Sequence, residues 1–350
     1  MSKEIKNDDI FELSFEEVQS LIEEVGEKKF RAKQVYEWLH NHPISSYDDM
    51  NNVPKSLRQK LSEKYPMDAL EIRDIQESVD GTKKYLFNLK DGNVVESVLI
   101  PNSDGRITAC ISTQVGCSMN CAFCATGSQG LTRNLSAQEI VFQLAQMTKD
   151  SGERFSNVVV MGQGEPFLNY DNTLKAIRQF NSDEAYKIAA RKITVSTCGI
   201  IDGIEKFLEE PEQFGLAISL HSAVQATRNV IMPKTKNMPL NSLSAAISDY
   251  IEKSNRRVTL EYMLLKDVND DDAHLAALID FCNHPLLHIN LLQFNEVDSC
   301  EFKSAGMPVL KHFENELTKN GVPCSIRCSK GSDIDGACGQ LANKTKVAFN

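Results

Sequence analysis

Three cysteines fall within eight residues of the stretch Gly116-Cys117-Ser-Met-Asn-Cys121-Ala-Phe-Cys124. Three thiolates on a short loop can fold round one metal centre. A structural zinc takes four protein ligands, and no His or Cys follows at finger spacing. A cubane 4Fe–4S cluster in a ferredoxin also takes four cysteines. Three thiolates would therefore hold three irons and leave the fourth open to a ligand. Zinc with a distant fourth ligand, and three thiols packed in a loop, stand as the alternatives. The remaining cysteines divide in two. Cys110 joins the mid-chain group, and Cys324, Cys328 and Cys338 form a second near the C-terminus. Cys198, Cys282 and Cys300 stand alone and read as small packing residues.

Compartment decides how such cysteines are read. The opening Met1-Ser-Lys-Glu-Ile-Lys-Asn-Asp-Asp is polar, with no apolar stretch behind it, so no secretory signal is expected. No run of ~18 apolar residues occurs, so no membrane span is expected either. A cytoplasmic address follows, where clustered cysteines serve as ligands or catalysts more often than as staples. The 350 residues, 41% apolar and 25% charged, match soluble globular chains and suggest two domains.

A net charge of −10 argues against unspecific nucleic-acid binding. The charge is uneven, however. Residues 28–64 carry eight basic side chains (Lys28, Lys29, Arg31, Lys33, Lys55, Arg58, Lys60, Lys64) against four acidic ones, a local +4. Residues 319–346 carry five against two, a local +3. A solvated charged face is the plain reading of both stretches; an RNA-contacting patch is the sharper one.

These residues need elements to hold them. Leu13, Val18, Leu21, Ile22 and Val25 recur at helical spacing, with a capping box at Ser14 and Glu17. Further helices are expected near 31–41 and 54–64, the latter with Pro54 in its first turn. Together they make a helical N-terminal unit, residues 1–80. Two strands flank Lys90-Asp-Gly-Asn as a hairpin connector over 81–102. Seven apolar strands follow at 107–113, 157–161, 192–196, 215–220, 257–264, 288–293 and 322–327, with helices such as 137–149 and 241–253 between them. The fold class is α/β, an open doubly wound sheet or a full or partial barrel of parallel βα units, over 103–335. Residues 336–350 form a C-terminal segment that carries Cys338.

In parallel βα folds chemistry sits at the C-terminal strand ends. The cysteine loop follows the first core strand, and Gly162-Gln-Gly164-Glu165-Pro166 follows the second. Ser196-Thr197 ends the third, Ser219-Leu220-His221 the fourth, and Asn295 follows the sixth. Each is weak alone. Phe167 stands where a Rossmann fingerprint needs its third glycine, Glu165 could be solvated in a turn, His221 could be a core histidine, and both serines could cap helices.

The cysteine loop, with an aromatic before its third cysteine, resembles that of radical S-adenosylmethionine (SAM) enzymes. That resemblance implies a full or partial (β/α) barrel, commonly of six units, and a 4Fe–4S cluster whose open iron chelates SAM. Over nearly the whole chain the likeness narrows. Arg106-Ile-Thr-Ala-Cys110-Ile-Ser-Thr-Gln-Val-Gly116-Cys117, Gly130-Leu-Thr-Arg-Asn134-Leu and Asp333-Ile-Asp-Gly-Ala-Cys338-Gly-Gln-Leu341 resemble the bacterial dual-specificity 23S rRNA and tRNA adenine-C2 methyltransferases. The resemblance implies that Cys117, Cys121 and Cys124 hold the cluster. Gly164, Glu165, Ser196, Ser219, Leu220, His221 and Asn295 would contact SAM, and Glu96 would accept a proton. It also implies two SAM per turnover. The first methylates Cys338; the second generates a radical that activates this methyl group for addition to the adenine ring. Cys110 then helps remove the ring proton and attacks the Cys338 sulfur, leaving a disulfide to be reduced. The implied partners are 23S rRNA, tRNA and an electron donor such as flavodoxin, and the enzyme is expected to be a monomer.

Two rivals are carried forward. A related carbon-8 adenine methyltransferase that confers antibiotic resistance shares the cluster and both cysteines. A non-catalytic iron–sulfur or zinc RNA-binding protein would explain the cysteine loop and the basic stretch, but not the strand-end polar groups. Two positions depart from the family pattern: Gln163 replaces its usual methionine, and Glu296 follows Asn295 where proline is usual. Alternation over residues 324–328 places Cys324 and Cys328 on one strand face, as packed thiols.

Overall fold

The computed structural model describes residues 10–343 except 43, 45, 68, 69, 184, 298 and 299. Lys344 and Lys346 of the basic C-terminal stretch lie outside the described residues. Helix α1 (Phe15–Glu24) begins at Ser14, whose hydroxyl accepts from the Glu17 amide while the Glu17 carboxylate accepts from Ser14 N–H. That reciprocal pair satisfies two of the free donors at a helix start. Helices α2 (Phe30–Asn41) and α3 (Lys55–Lys64) follow, and Pro54 is the residue capping α3 rather than a member of its first turn. Val18, Leu21, Ile22, Val35, Leu39, Leu57 and Leu61 bury one another in a core of their own.

Residues 71–77, expected within the helical unit, form strand β1 (Glu71–Glu77) instead. It pairs antiparallel with β2 (Lys83–Asn88), which pairs with β3 (Val94–Pro101), which pairs with β4 (Ile107–Cys110). The hairpin is thus part of the sheet wall, with Val98 opposite Cys110. A small ladder of β5 (Gln114–Gly116) and β6 (Leu131–Asn134) brackets the cysteine loop and the short helix α4 (Ala125–Ser128). From β4 onward the main sheet is parallel, in the order β4, β7 (Asn157–Val160), β8 (Ile193–Thr197), β9 (Gly215–Ser219), β10 (Val258–Leu264), β11 (Leu287–Gln293) and β12 (Cys324–Arg327). Among the described residues, β1 and β12 are its edges, so the barrel is partial. All seven expected core strands are present, joined by six helical crossovers.

Alternation assigns the two faces. Val158, Val160, Ile193, Val195, Leu216, Ile218, Leu260, Tyr262, Ile289 and Leu291 pack outward in the main core beneath the helices. Their neighbours Cys110, Ser196, Ser219, Glu261 and Asn290 therefore face the other way. The segment after β12 crosses to the opposite edge. Lys330 donates to Pro101 O (2.7 Å), Gly331 N to Asp80 Oδ2 (3.0 Å), and Ser78 Oγ to Asp333 Oδ1 (2.6 Å). This clasp curls the sheet round its inner face.

Candidate active site

The cysteine loop is set by its backbone. Gly116 has φ +74°, and a Cβ there would collide with the Gly130 carbonyl, which accepts from Cys117 N at 2.8 Å. Cys124 N donates to Cys121 O (3.1 Å), and Ala122 N donates to Ile231 O (2.8 Å). All three thiols are half-buried against Met119, Phe123, Cys198, Ile231, Met232 and Leu265. Burial pushes Cys117 up to about 11 and raises Cys121 and Cys124 as well; for Cys117 and Cys121, neighbouring thiolates and Glu165 add to the effect. Among the described residues, no three donors converge on a point that one metal ion could fill. A cluster, which offers each thiolate a different iron, needs no such point.

Next to the loop lies the turn after β7. Gly164 has φ +107°, and a Cβ would come within 2.7 Å of Gln114 Cβ and Thr113 Oγ1. Glu165 is buried rather than solvated: Oε1 accepts from Phe167 N (3.0 Å) and Oε2 from Cys198 N (2.7 Å). Burial raises its pKa, and these amide donors work against that rise. The carboxylate thus fixes the β7 turn against the β8 turn. Ser196 and Ser219 bring their hydroxyls within 3.5 Å of each other. His221 has φ +52°, and its Nδ1 accepts from Met263 N (3.1 Å), so Nε2 carries the proton of the neutral ring. Burial, then Arg228, lowers its pKa to about 3. Its ring stands edge-on to Phe123, 4.8 Å between centroids. The Leu220 side chain lies in the main core, its N–H donates to Glu261 O, and its carbonyl accepts from Ser222 N and Arg228.

The C-terminal segment docks on this assembly. Ala125 N donates to Gly339 O (2.8 Å), Thr126 Oγ1 to Leu341 O (2.7 Å), and Gln129 Nε2 to Ala342 O (2.7 Å). Asn295 Nδ2 reaches Cys338 O at 3.4 Å. Leu341 packs with Cys110 and Val98. Cys338 is exposed, yet crowding by neighbouring protein, then the Glu261 and Cys124 charges, pushes its thiol up to about 11. Cys110 is buried and raised by burial and by Cys338. Both are free thiols, so the structure holds no Cys110–Cys338 disulfide. Glu96, on β3, is fully buried. Its Oε1 faces Lys84 Nζ at 3.3 Å, an ion pair without the direction of a hydrogen bond, and its Oε2 accepts from Asn343 N at 2.9 Å. Burial raises its pKa against the pull of Lys84.

Outside this group, Cys324 is half-buried near Glu314 O, whereas Cys328 lies beyond the end of β12 and is exposed, not packed. Motif and spacing did not point to Glu261. It pairs in register with Ser219 on one side and Asn290 on the other, and Asn290 Nδ2 donates to its Oε1 at 2.9 Å. Burial lifts its pKa to about 7. An acidic residue inside the apolar run of β10 was the available signal.

Comparison with known proteins settles the family. The model described as the ribosomal RNA large subunit methyltransferase N-terminal domain matches residues 8–66, and that of the radical SAM superfamily matches residues 111–279. A dual-specificity RNA methyltransferase RlmN of Flavobacterium psychrophilum is 41% identical, over 97% of this chain and 99% of that protein. The chain belongs to the RlmN family of radical SAM methyltransferases. The RlmN protein of Alkaliphilus metalliredigens is 42% identical over 96% of this chain and 95% of its own length. The crystal structure of a radical SAM methyltransferase from Sphaerobacter thermophilus superimposes with a TM-score of 0.89 at 37% identity, covering 96% of this chain and 99% of that one. Membership in the RlmN family implies a 4Fe–4S cluster and SAM. The donor set suits a cluster: three thiols on one loop, apolar walls, and raised pKa values that bound iron would reverse.

Proposed function

We propose that this enzyme methylates carbon 2 of adenine in 23S rRNA and in tRNA through a methyl group carried on Cys338. Cys117, Cys121 and Cys124 would hold the cluster. When bound, the cluster supplies one electron to the SAM sulfonium and so gives access to a carbon radical. The residues of the chain do the rest. Cys338 takes a methyl group by displacement: its sulfur–carbon bond forms as that of SAM breaks. Gly164 lets the backbone come close to SAM, Ser196 and Ser219 offer hydroxyls, and Asn295 borders both SAM and the tail. His221 acts through shape and its Nε2 donor, because its depressed pKa keeps it neutral. Two SAM are consumed per turnover, a one-electron carrier such as flavodoxin supplies the reductant, and the enzyme works as a cytoplasmic monomer.

The observation that carries this reading is the docking of the Cys338 segment. Three hydrogen bonds tie it to α4, immediately after Cys124, while Leu341 packs on Cys110. A methyl carrier must reach both the SAM site and a second thiol, and this position favours both. Cys110 loses its proton and attacks the Cys338 sulfur. The S–S bond forms as the bond from the Cys338 sulfur to the transferred carbon breaks. With the ring's carbon-2 proton removed, the released electron pair takes up a proton at that carbon and leaves the methyl group on the ring, and a dithiol reductant restores both thiols.

The test is nucleoside mass spectrometry of rRNA and tRNA from a deletion strain and its complemented parent. Loss of 2-methyladenosine from both RNAs is expected. Loss of 8-methyladenosine would favour the carbon-8 rival, and no change would favour a non-catalytic role. A Cys110→Ala enzyme should accumulate RNA joined to Cys338; an adduct at Cys110 would reverse the two roles.

A further inference from the structure

Gln163 occupies the middle of the turn after β7 and is fully buried. Its backbone holds the turn: N–H donates to Ser112 Oγ (2.7 Å), and the carbonyl accepts from Thr113 N (2.8 Å) and Gln114 N (3.2 Å). Its side chain looks elsewhere. Oε1 accepts from Glu96 N at 3.0 Å, and Nε2 donates to Asn343 Oδ1 at 3.0 Å. The amide orientation is fixed by its partners, since a backbone N–H can only donate. Asn343 is held a second time, by its own N–H on Glu96 Oε2 (2.9 Å). Glu96, Gln163 and Asn343 therefore close a ring of three hydrogen bonds at the end of the segment that carries Cys338.

We propose that Gln163 is a positioning residue that latches the C-terminal segment, through Asn343, in the register that presents Cys338 beside Cys110. The inference rests on the methyl-carrier reading above. The bonds to α4 hold the segment at Gly339, Leu341 and Ala342. The Gln163 bond adds the far end, on the opposite side of Leu341 from Cys338. A closed ring of buried hydrogen bonds favours one arrangement of the three residues. Because the Asn343 N–H lies on Glu96 Oε2, releasing the latch also frees that carboxylate oxygen. Gln163 sets how firmly the segment stays down.

The experiment uses the full-length, cluster-loaded enzyme with Gln163→Met, Asn343→Gly and the double variant. Met keeps the length of the side chain, and Gly suits the φ of +57° at residue 343. Two rates are read: hydrogen exchange of the amides over 337–343, and methylation of Cys338 by SAM, followed by peptide mass. Each single variant should speed exchange roughly two- to tenfold, the effect of losing one buried neutral hydrogen bond on a docking equilibrium. Cys338 methylation should slow by a similar factor, with RNA-free reductive SAM cleavage unchanged. The double variant should be no worse than the more affected single one, because both remove the same bond. Additive effects, or unchanged exchange in Gln163→Met, would overturn the latch. Faster exchange with normal Cys338 methylation would overturn the positioning role. If Gln163→Met does not fold, Asn343→Gly alone decides by the same two rates. Wild-type enzyme that never methylates Cys338 would overturn the underlying reading, a result separate from the exchange pattern of the variants.

Discussion

Two buried groups at the centre of the site should give the protein opposing responses to acid. His221 titrates near 6.5 when unfolded, and burial lowers it to about 3 in the fold. Between those values the unfolded chain binds more protons, so stability is complete above the unfolded value and drains away as pH falls. Roughly pH 5.0 lies about 1.5 units below the pKa of the unfolded imidazole, which at about 1.4 kcal/mol per unit costs about 2 kcal/mol relative to pH 7.5. Glu261 works the other way. Its carboxyl moves from 4.5 to about 7, so the folded chain takes up a proton first and gains stability on acidification. Over the same interval that gain is about 2 to 3 kcal/mol. The pair nearly cancels in the wild type, against a total stability of order 5–15 kcal/mol.

Single variants should unmask each slope. His221→Asn, which tolerates the left-handed backbone at this position, should become more stable by about 2 to 3 kcal/mol from pH 7.5 to 5.0. Glu261→Gln, which keeps a partner for Asn290, should become less stable by about 2 kcal/mol. Urea midpoints of cluster-free protein at the two pH values provide the measurement. If both variants show the wild-type difference, neither group titrates as its burial dictates and the reasoning fails.

Cys121→Ala should leave a folded protein without iron–sulfur absorption; retention of full cluster and SAM cleavage would remove Cys121 as a ligand. Lys28, Lys29 and Lys33 are exposed, and Arg31 lies over the exposed Phe30 ring. Neutralising all four should flatten the dependence of log RNA affinity on log salt by up to about 3, some 0.7 for each phosphate no longer neutralised. An unchanged slope would make this stretch a solvated face. Gly164→Ala should cost about 2–5 kcal/mol, from a left-handed residue plus overpacking against Gln114, read as a fall in denaturation midpoint. A shift below ~1 kcal/mol would show that the turn yields without strain.

The elements that were legible are those whose signal is local. The capping box of α1, the hairpin turn at Lys90-Asp-Gly-Asn and seven apolar core strands follow from period, propensity and turn chemistry within a dozen residues. Strand β1 was not legible for the same reason. It offers only Ile72 and Ile75 among charged neighbours, and the second of these is exposed on an edge strand. Its pairing comes from β2, not from its own pattern.

The site follows the same division. The cysteine loop is read directly, because its donors are neighbours in sequence. The hydrogen bonds that complete the site join residues far apart: Ser78 to Asp333, Thr126 to Leu341, Glu96 to Asn343. No periodicity encodes such pairs, and a motif such as Asp333–Leu341 looks like an unpatterned tail when taken alone. Its composition acquires a meaning only once the sheet has curled. Asp333 then clasps the far edge, Gly339 and Leu341 lie on α4, and Asn343 covers Glu96. One short segment thus bridges the two sides of the open sheet and, on the reading proposed above, presents Cys338. That bridge and the placing of Cys338 should therefore respond together when this segment is cut or loosened.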